Sequence, residues 1–365
     1  MRCAFVIQHI NATGGTECSA CAVMNGLVQR DVTVHLLELV GNGPPVFPLD
    51  DRIPVKSLFE KPVKIFNSWL RIVGRLVGYL RRNRIDTLVV VEATHALYGV
   101  AAARLAGCRC IVWEHFNFNI TLGRRKRVWG RQIAARWADD VVVLTARDRA
   151  LWQARRDVRA SLTVIPNMAP PVSQTPYDET SRTVLTVGRL TLQKGYDRLL
   201  AAWRMVETDR RGAGWSLMIR GDGPDRDRLL QAAEGLSRVM LAPATHQIEA
   251  EYRRAGLYVC SSRYEGFPMV LLEAASAGLP VVSFDCETGP AEIVEDGVSG
   301  ILVQPGDLHA LAEALLSLME QTEKRRTMSA MARRKASEFQ EETVMARWIE
   351  LLSGEVVFRI FFGKA

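Results

Sequence analysis

The chain has 365 residues, 48% of them hydrophobic and 24% charged, with a formal net charge of +7. That length and balance place it in the soluble globular class, with room for two domains that each bury a core. No run of about 18 uncharged apolar residues occurs, so no spanning helix is expected. The charge is uneven: residues 1–170 hold 24 Lys and Arg against 13 Asp and Glu, and the remainder holds 23 against 27. A basic first half points to an anionic surface, membrane or nucleic acid. The seven cysteines are scattered, and neither Cys18-Ser-Ala-Cys21 nor Cys108-Arg-Cys110 makes a usual metal knuckle, so reduced, structural thiols are expected.

Taken in chain order, "MRCAFVIQHI" flows into a Gly-Gly turn and lacks a small-residue cleavage site. It reads as a buried first strand and not as a signal peptide, which implies a cytoplasmic protein. Gly14 and Gly15 then let backbone approach a ligand closely. The absence of G-x-G-x-x-G counts against a dehydrogenase. In 61–82, Lys64, Arg71, Arg75 and Arg82 form one stripe while Ile65, Trp69, Ile72, Leu76 and Leu80 form another. The segment 122–137 repeats the pattern with Arg124, Arg125, Lys126, Arg127 and Trp129. Two core-packed helices with solvated faces would explain the stripes; the tryptophans among cations point instead to an anionic membrane interface. No nucleic-acid module is visible.

Apolar runs near 3–8, 32–39, 86–91, 109–113, 140–144 and 162–165 read as strands alternating with helices. "IVWEHFNFN" ends the fourth of them in Glu114 and His115. The four prolines of 165–182 mark a linker. Beyond it, strands are expected near 183–188, 215–220, 239–241, 257–260, 280–284 and 300–303. A last helix over about 341–352 precedes the apolar, basic tail "GEVVFRIFFGKA". The organisation expected is a Rossmann-like domain over 1–170, a second over 171–340, and a helix and tail over 341–365 returning to the first. Ligands in such sheets sit beyond the carboxyl ends of the strands.

In "SRYEGFPMVLLEAASAGLP" a loop meets a helix starting near Phe267, with Pro268 in its first turn, and the helix stops at Gly278. Its unpaired first N–H groups suit a phosphate-sized anion. Glu265 stands just before that site and Glu273 about one and a half turns inside it. Carboxylates accept hydrogen bonds, so their natural partners are hydroxyls, a sugar for one and a ribose for the other. After the linker, "TVLTVGRLTLQKG" puts Arg189 and Lys194 beyond a strand, where cations stabilise a leaving diphosphate. Asp225-Arg-Asp227 imitates a metal-binding D-x-D, but it opens a helix, where acids favour the dipole.

The E-x7-E pair with "GRL…KG" resembles the retaining glycosyltransferases of family 4, over nearly the whole chain. The resemblance implies an α/β GT-B fold, two Rossmann-like domains facing each other across a cleft, and no metal or cofactor. It assigns Glu265, His115, Arg189 and Lys194 to catalysis. It assigns Gly14, Gly15, Arg189, Lys194, Gly221, Gly266, Phe267, Pro268, Met269, Val270 and Glu273 to the donor. Cys18 stands where the family often has a cation. The expected function is transfer of a hexose or N-acetylhexosamine from a nucleotide sugar, a UDP-sugar for preference. The acceptor is a growing glycan, polyprenyl-diphosphate-linked, in bacterial polysaccharide or lipopolysaccharide biosynthesis. The enzyme is expected to be peripheral on the inner face of the cytoplasmic membrane. Lys64, Trp69, Arg71, Arg75, Arg82, Arg124, Arg125, Lys126, Arg127 and Trp129 are the expected membrane contacts. A nucleotide-sugar epimerase or a non-catalytic scaffold of the same fold are the alternatives.

Overall fold

The computed structural model describes residues 1–41 and 43–354. The tail from 355 to 365, set apart above, lies outside the described residues. The chain divides into two compact units, Met1–Met168 together with the segment from Glu341 onward, and Ala169–Gln340.

In the first unit the apolar runs become β1 (Arg2–Ile7), β2 (Thr33–Val40), β3 (Val55–Phe59), β4 (Thr87–Val91), β5 (Arg109–Trp113), β6 (Asp140–Val143) and β7 (Ser161–Val164). They form one parallel sheet in the order β3-β2-β1-β4-β5-β6-β7. The central strands are buried on both faces, which is why they read as unbroken Val and Ile runs. Sequence reading has no strand at β3. It lies at the sheet edge with Val55 and Lys56 exposed and only Leu58 and Phe59 buried, so it carries no apolar run to signal it. The helix Glu341–Ser353 closes one face of this sheet. Its Trp348 is fully buried against Trp113 and Phe5, with ring centroids 4.8 and 6.4 Å away.

In the second unit β8 (Thr183–Val187), β9 (Ser216–Arg220), β10 (Val239–Ala242), β11 (Leu257–Cys260), β12 (Val281–Phe284) and β13 (Gly300–Val303) form a parallel sheet ordered β10-β9-β8-β11-β12-β13. Leu199, Trp203 and Val206 of the helix Tyr196–Thr208 and Leu311, Leu315 and Leu318 of the helix Leu308–Glu320 share one core with it.

Both strand orders reverse once, between β1 and β4 in the first unit and between β8 and β11 in the second. The chains leaving the carboxyl ends of those neighbours diverge to opposite faces and leave a crevice, the place where doubly wound sheets take ligands.

Candidate functional site

In the second unit the reversal brings together the two motifs that sequence reading treats separately. Arg189 and Lys194 follow β8, and Glu265 follows β11. Lys194 Nζ lies 2.7 Å from Glu265 Oε1. The same oxygen accepts from Ser262 Oγ at 2.6 Å, and the Glu265 carbonyl accepts from Thr288 Oγ1 at 2.6 Å. Burial works against the Lys194 charge, but the Glu265 carboxylate outweighs it and holds the ammonium above its usual range. The two residues expected to act on different parts of a substrate therefore form a single buried pair. Arg189 differs: its side chain is exposed and its guanidinium has no hydrogen bond or ion pair among the described residues.

The loop bearing Glu265 is held by backbone contacts. Gly195 has φ +66, and a Cβ there would fall 2.1 Å from the Ser261 carbonyl oxygen. Arg263 N donates to the Gln193 carbonyl at 2.8 Å, Ser261 Oγ to the Lys194 carbonyl at 2.9 Å, and Arg263 makes a two-pronged pair with Asp197 at 2.8 and 2.7 Å. Gly221 lies equally close to the turn after β8: its Cβ would meet the Gly188 carbonyl oxygen at 2.0 Å. Glycine is required there by chain against chain, before any ligand is considered.

The helix after Glu265 runs over Met269–Ala277 and stops at Gly278, whose φ of +81 suits a left-handed cap. Pro268 is not in the first turn as expected. It is the N-cap, with ψ 105 in the extended region, so the helix begins two residues later than read. Gly266 leads into it, and Phe267 is buried with its ring 5.6 Å from that of Phe339. Met269 and Val270, both half-buried, supply the first helical N–H groups, which have no intrahelical acceptor. Glu273 accepts from Tyr252 Oη at 2.6 Å. Burial raises its carboxyl, while Tyr252 and the nearby Lys194 ammonium oppose the rise. Lys194 thus stands within electrostatic reach of both acids. Asp225 caps a short helix, Arg226–Ala232, and pairs with Arg228 at 3.1 Å; Asp227 sits in its first turn.

In the first unit Gly14 is the N-cap of the helix Gly15–Val28, directly after β1 and its loop. His115 follows β5 and is buried, its ring 4.3 Å from that of Trp113, and burial pushes its imidazole down to about 3. It is neutral at every physiological pH. The segment bearing it is clamped from beneath. Glu114 Oε1 accepts from His115 N and Phe116 N at 2.9 and 3.0 Å, and its Oε2 accepts from Arg131 Nε at 2.7 Å. Arg131 also donates to the Asn117 and Phe118 carbonyls, and Asp148 Oδ1 accepts from Phe118 N at 2.7 Å. The sequence around Glu114 does not announce this role, because Arg131 lies on the helix Arg125–Trp137 and pairs with it only in the fold.

Two of the expected membrane contacts are corrected here. Arg127 is 1% exposed and paired with Glu92 at 3.0 Å, so it has no access to a surface. Trp69 is half-buried and donates its indole N–H to the Leu97 carbonyl at 2.8 Å. Arg75 is exposed, with its guanidinium donating to the Leu58 carbonyl and lying 4.3 Å over the Phe59 ring. The exposed members are Lys64, Arg71, Arg75, Arg82, Arg124, Arg125, Lys126 and Trp129. Two apolar residues absent from the sequence reading join them. Leu70 is 79% exposed, and Phe66 packs edge-on against Trp129 at 5.7 Å with Lys126 over its ring at 5.5 Å. Among the described residues no helix is long and apolar enough to cross a membrane.

The chain and its fold have counterparts among known proteins. The description "Glycosyltransferase Family 4" matches residues 13–171, and "Glycosyl transferases group 1" matches residues 172–335. The amylovoran biosynthesis glycosyltransferase of Erwinia amylovora is 27% identical over 368 residues, covering 95% of this chain and 98% of that one. The alpha-D-kanosaminyltransferase of Streptomyces kanamyceticus is 31% identical over 364 residues, covering 85% and 92%. Among solved structures, HepE of Anabaena in complex with UDP superposes with a TM-score of 0.80 at 21% identity, covering 97% of this chain and 100% of that one. With both halves matched in order and both sheets parallel, the chain belongs to the family 4 glycosyltransferases, of GT-B fold.

Proposed function

We propose that this glycosyltransferase takes a hexose or N-acetylhexosamine from a UDP-sugar and adds it, with retention, to a growing lipid-linked glycan in bacterial polysaccharide or lipopolysaccharide assembly. The observation that carries the reading is the reversal point of the second unit, where Lys194, Glu265, Arg189 and the start of the helix Met269–Ala277 converge. Arg189, Lys194 and the Met269 and Val270 N–H groups oppose the charge that grows on the diphosphate. Glu273 takes ribose hydroxyls and Glu265 those of the sugar. His115, held neutral, offers a sugar hydrogen bond without adding charge. The bond from the anomeric carbon to the diphosphate breaks, and its electron pair leaves with the diphosphate. The acceptor oxygen bonds to the same face of that carbon, and its proton passes to a diphosphate oxygen. Charge neutralisation by two cations and a helix start makes a metal dispensable.

The exposed Phe66, Leu70 and Trp129 with Lys64, Arg71, Arg124, Arg125 and Lys126 form the face that rests on an anionic leaflet. A solved structure of the same fold in complex with UDP-glucose and a relative named for amylovoran biosynthesis support the donor and the pathway class.

The test is a turnover screen across UDP- and GDP-sugars, with and without EDTA, and with the anomer of the product assigned by NMR. UDP release that survives the chelator and a retained anomer are expected. An inverted product, dependence on magnesium or manganese, or epimerised sugar with no transfer would each overturn the corresponding part. Calorimetry then separates the acids: Glu273→Gln should weaken UDP binding and Glu265→Gln should leave it nearly unchanged.

A further inference from the structure

Glu273 is held by a residue that the reading above leaves unused. Tyr252 lies on the helix Ile248–Arg254, between β10 and β11, and is 3% exposed. Contacts on two sides fix it. Glu251, the residue before it, pairs at 2.6 Å with Arg220 at the end of β9, and Arg220 also donates to the Pro243 carbonyl at 3.2 Å. The Tyr252 ring lies 5.8 Å from that of Tyr258 on β11, whose hydroxyl donates to the Val187 carbonyl at 3.3 Å. The phenol is therefore tied to β9, β11 and β8, the last being the strand that leads to Arg189 and Lys194.

The phenol has one proton and two acceptors within reach. The Val270 carbonyl is 3.5 Å away and Glu273 Oε2 is 2.6 Å away, so the proton goes to the carboxylate. A short bond to a charged acceptor is about twice as strong as a neutral one. It fixes the plane of the carboxylate, which would otherwise turn almost freely about its last bond. Burial raises the Glu273 carboxyl, and the Tyr252 bond works against that rise, which favours the acceptor form. Oε1 has no partner among the described residues. An ionised carboxylate only accepts, so the group that completes Oε1 is a donor.

We infer that Tyr252 is a positioning residue that sets the donor class: by occupying Glu273 Oε2 it presents Oε1 to the ribose 2′-hydroxyl, so that the enzyme takes ribonucleotide sugars and rejects their 2′-deoxyribonucleotide counterparts. The inference rests on the reading of Glu273 as the ribose acid, and adds what orients that acid and what the orientation excludes. A 2′-deoxy donor brings no hydrogen to Oε1 and leaves a half-buried charged acceptor unpaired. Sites built to bond a hydroxyl discriminate strongly against the analogue that lacks it. A glutamate free to turn would take the 3′-hydroxyl instead, which both donors carry, and would not tell them apart. Base, diphosphate and transferred sugar are the same in the two, so the ribose contact alone separates them.

Calorimetry on the full chain compares UDP with 2′-deoxy-UDP, and GDP with 2′-deoxy-GDP should the donor screen select guanosine. Wild type should favour the ribonucleotide by about tenfold or more, the value of one hydrogen bond to a charged group. Tyr252→Phe removes only the hydroxyl, and the preference should shrink to within about threefold, through weaker UDP and unchanged 2′-deoxy-UDP. A hydroxyl that merely packed the core would weaken both nucleotides alike. Combining Tyr252→Phe with Glu273→Gln strands no carboxylate and keeps the test open should Tyr252→Phe alone not fold; the double variant should match Glu273→Gln. A Tyr252→Phe protein that keeps the wild-type preference, equal weakening of both nucleotides, or a double variant that loses UDP beyond Glu273→Gln would overturn the inference. Glu273→Gln separates it from the reading beneath it. A preference lost there and kept in Tyr252→Phe leaves the ribose acid standing without Tyr252, whereas a preference kept in both, one absent from wild type, or binding of neither UDP nor GDP removes both.

Discussion

The two reversal points are built alike and finished differently. At the second unit's, the acids are each paired, Glu265 with Lys194 and Ser262, Glu273 with Tyr252 and Asp197 with Arg263, while Arg189 and the Tyr196 hydroxyl have no partner among the described residues. Its glycines are pinned by backbone against backbone. At the first unit's, Glu92, Arg127, His115 and His9 each keep an atom without a partner among the described residues. The difference teaches what each was shaped for. A site locked by its own chain holds its charges fixed at no cost of reorganisation, whereas a site left short of hydrogen bonds stays costly until a partner completes it.

The largest test of this contrast lies within one pair of cations. Arg189→Ala and Lys194→Ala should each lower turnover by on the order of 100-fold or more if, as proposed, each faces the leaving diphosphate. They should differ in stability. Lys194→Ala strands the buried Glu265 carboxylate and should cost about 3–5 kcal/mol, while exposed, unpaired Arg189 can be removed without moving the melting curve. Equal melting curves would break the idea that the second site is locked by its own ion pair.

The clamp under His115 titrates. Burial raises the Asp148 carboxyl to about 7 from an ordinary value of 3.8. The folded chain therefore holds this proton where the unfolded chain has released it, and stability falls as pH rises from about 4 to about 7. The loss from this group is up to about 4 kcal/mol. Denaturant midpoints at pH 5 and pH 8 should differ more in wild type than in Asp148→Asn; identical differences would remove Asp148 from the account.

Glycine offers a third comparison. Gly221→Ala forces a Cβ onto the Gly188 carbonyl and should cost about 1–3 kcal/mol and weaken UDP. Gly14→Ala meets only the movable Glu17 carboxylate, at an ordinary φ of −88, and should stay within about 0.5 kcal/mol. Urea unfolding measures both, and a reversed order would deny that the second unit's turns are the more tightly packed.

The smallest effect concerns the outer face. Replacing Lys64, Arg71 and Lys126 by Gln should weaken binding to vesicles containing anionic lipid by about 1 kcal/mol for each charge, and salt should mimic the change. Arg127 should contribute nothing, being buried and spent on Glu92. Co-sedimentation unaffected by the triple replacement would leave these helices as ordinary solvated faces.

Local pattern carried the parallel strands, the linker, the stop at Gly278 and the family, because buried strands, caps and a motif such as E-x7-E are written within a few consecutive residues. Tertiary structure alone decided what was joined across distance. The Lys194 and Glu265 pair is 71 residues apart and the Arg127 and Glu92 pair 35, with nothing in either neighbourhood to announce the other. The basic stripe shows the limit best: Arg124, Arg125, Lys126 and Arg127 are alike in sequence, yet three are exposed and the fourth is buried. A helix turns about 100° per residue, so one member of any such run faces inward, and which one depends on where Gly130 lets the helix rest against Ala93. Composition and periodicity report the supply of charge; only the packing of that helix on the turn after β4 settles which charge meets water and which meets a carboxylate.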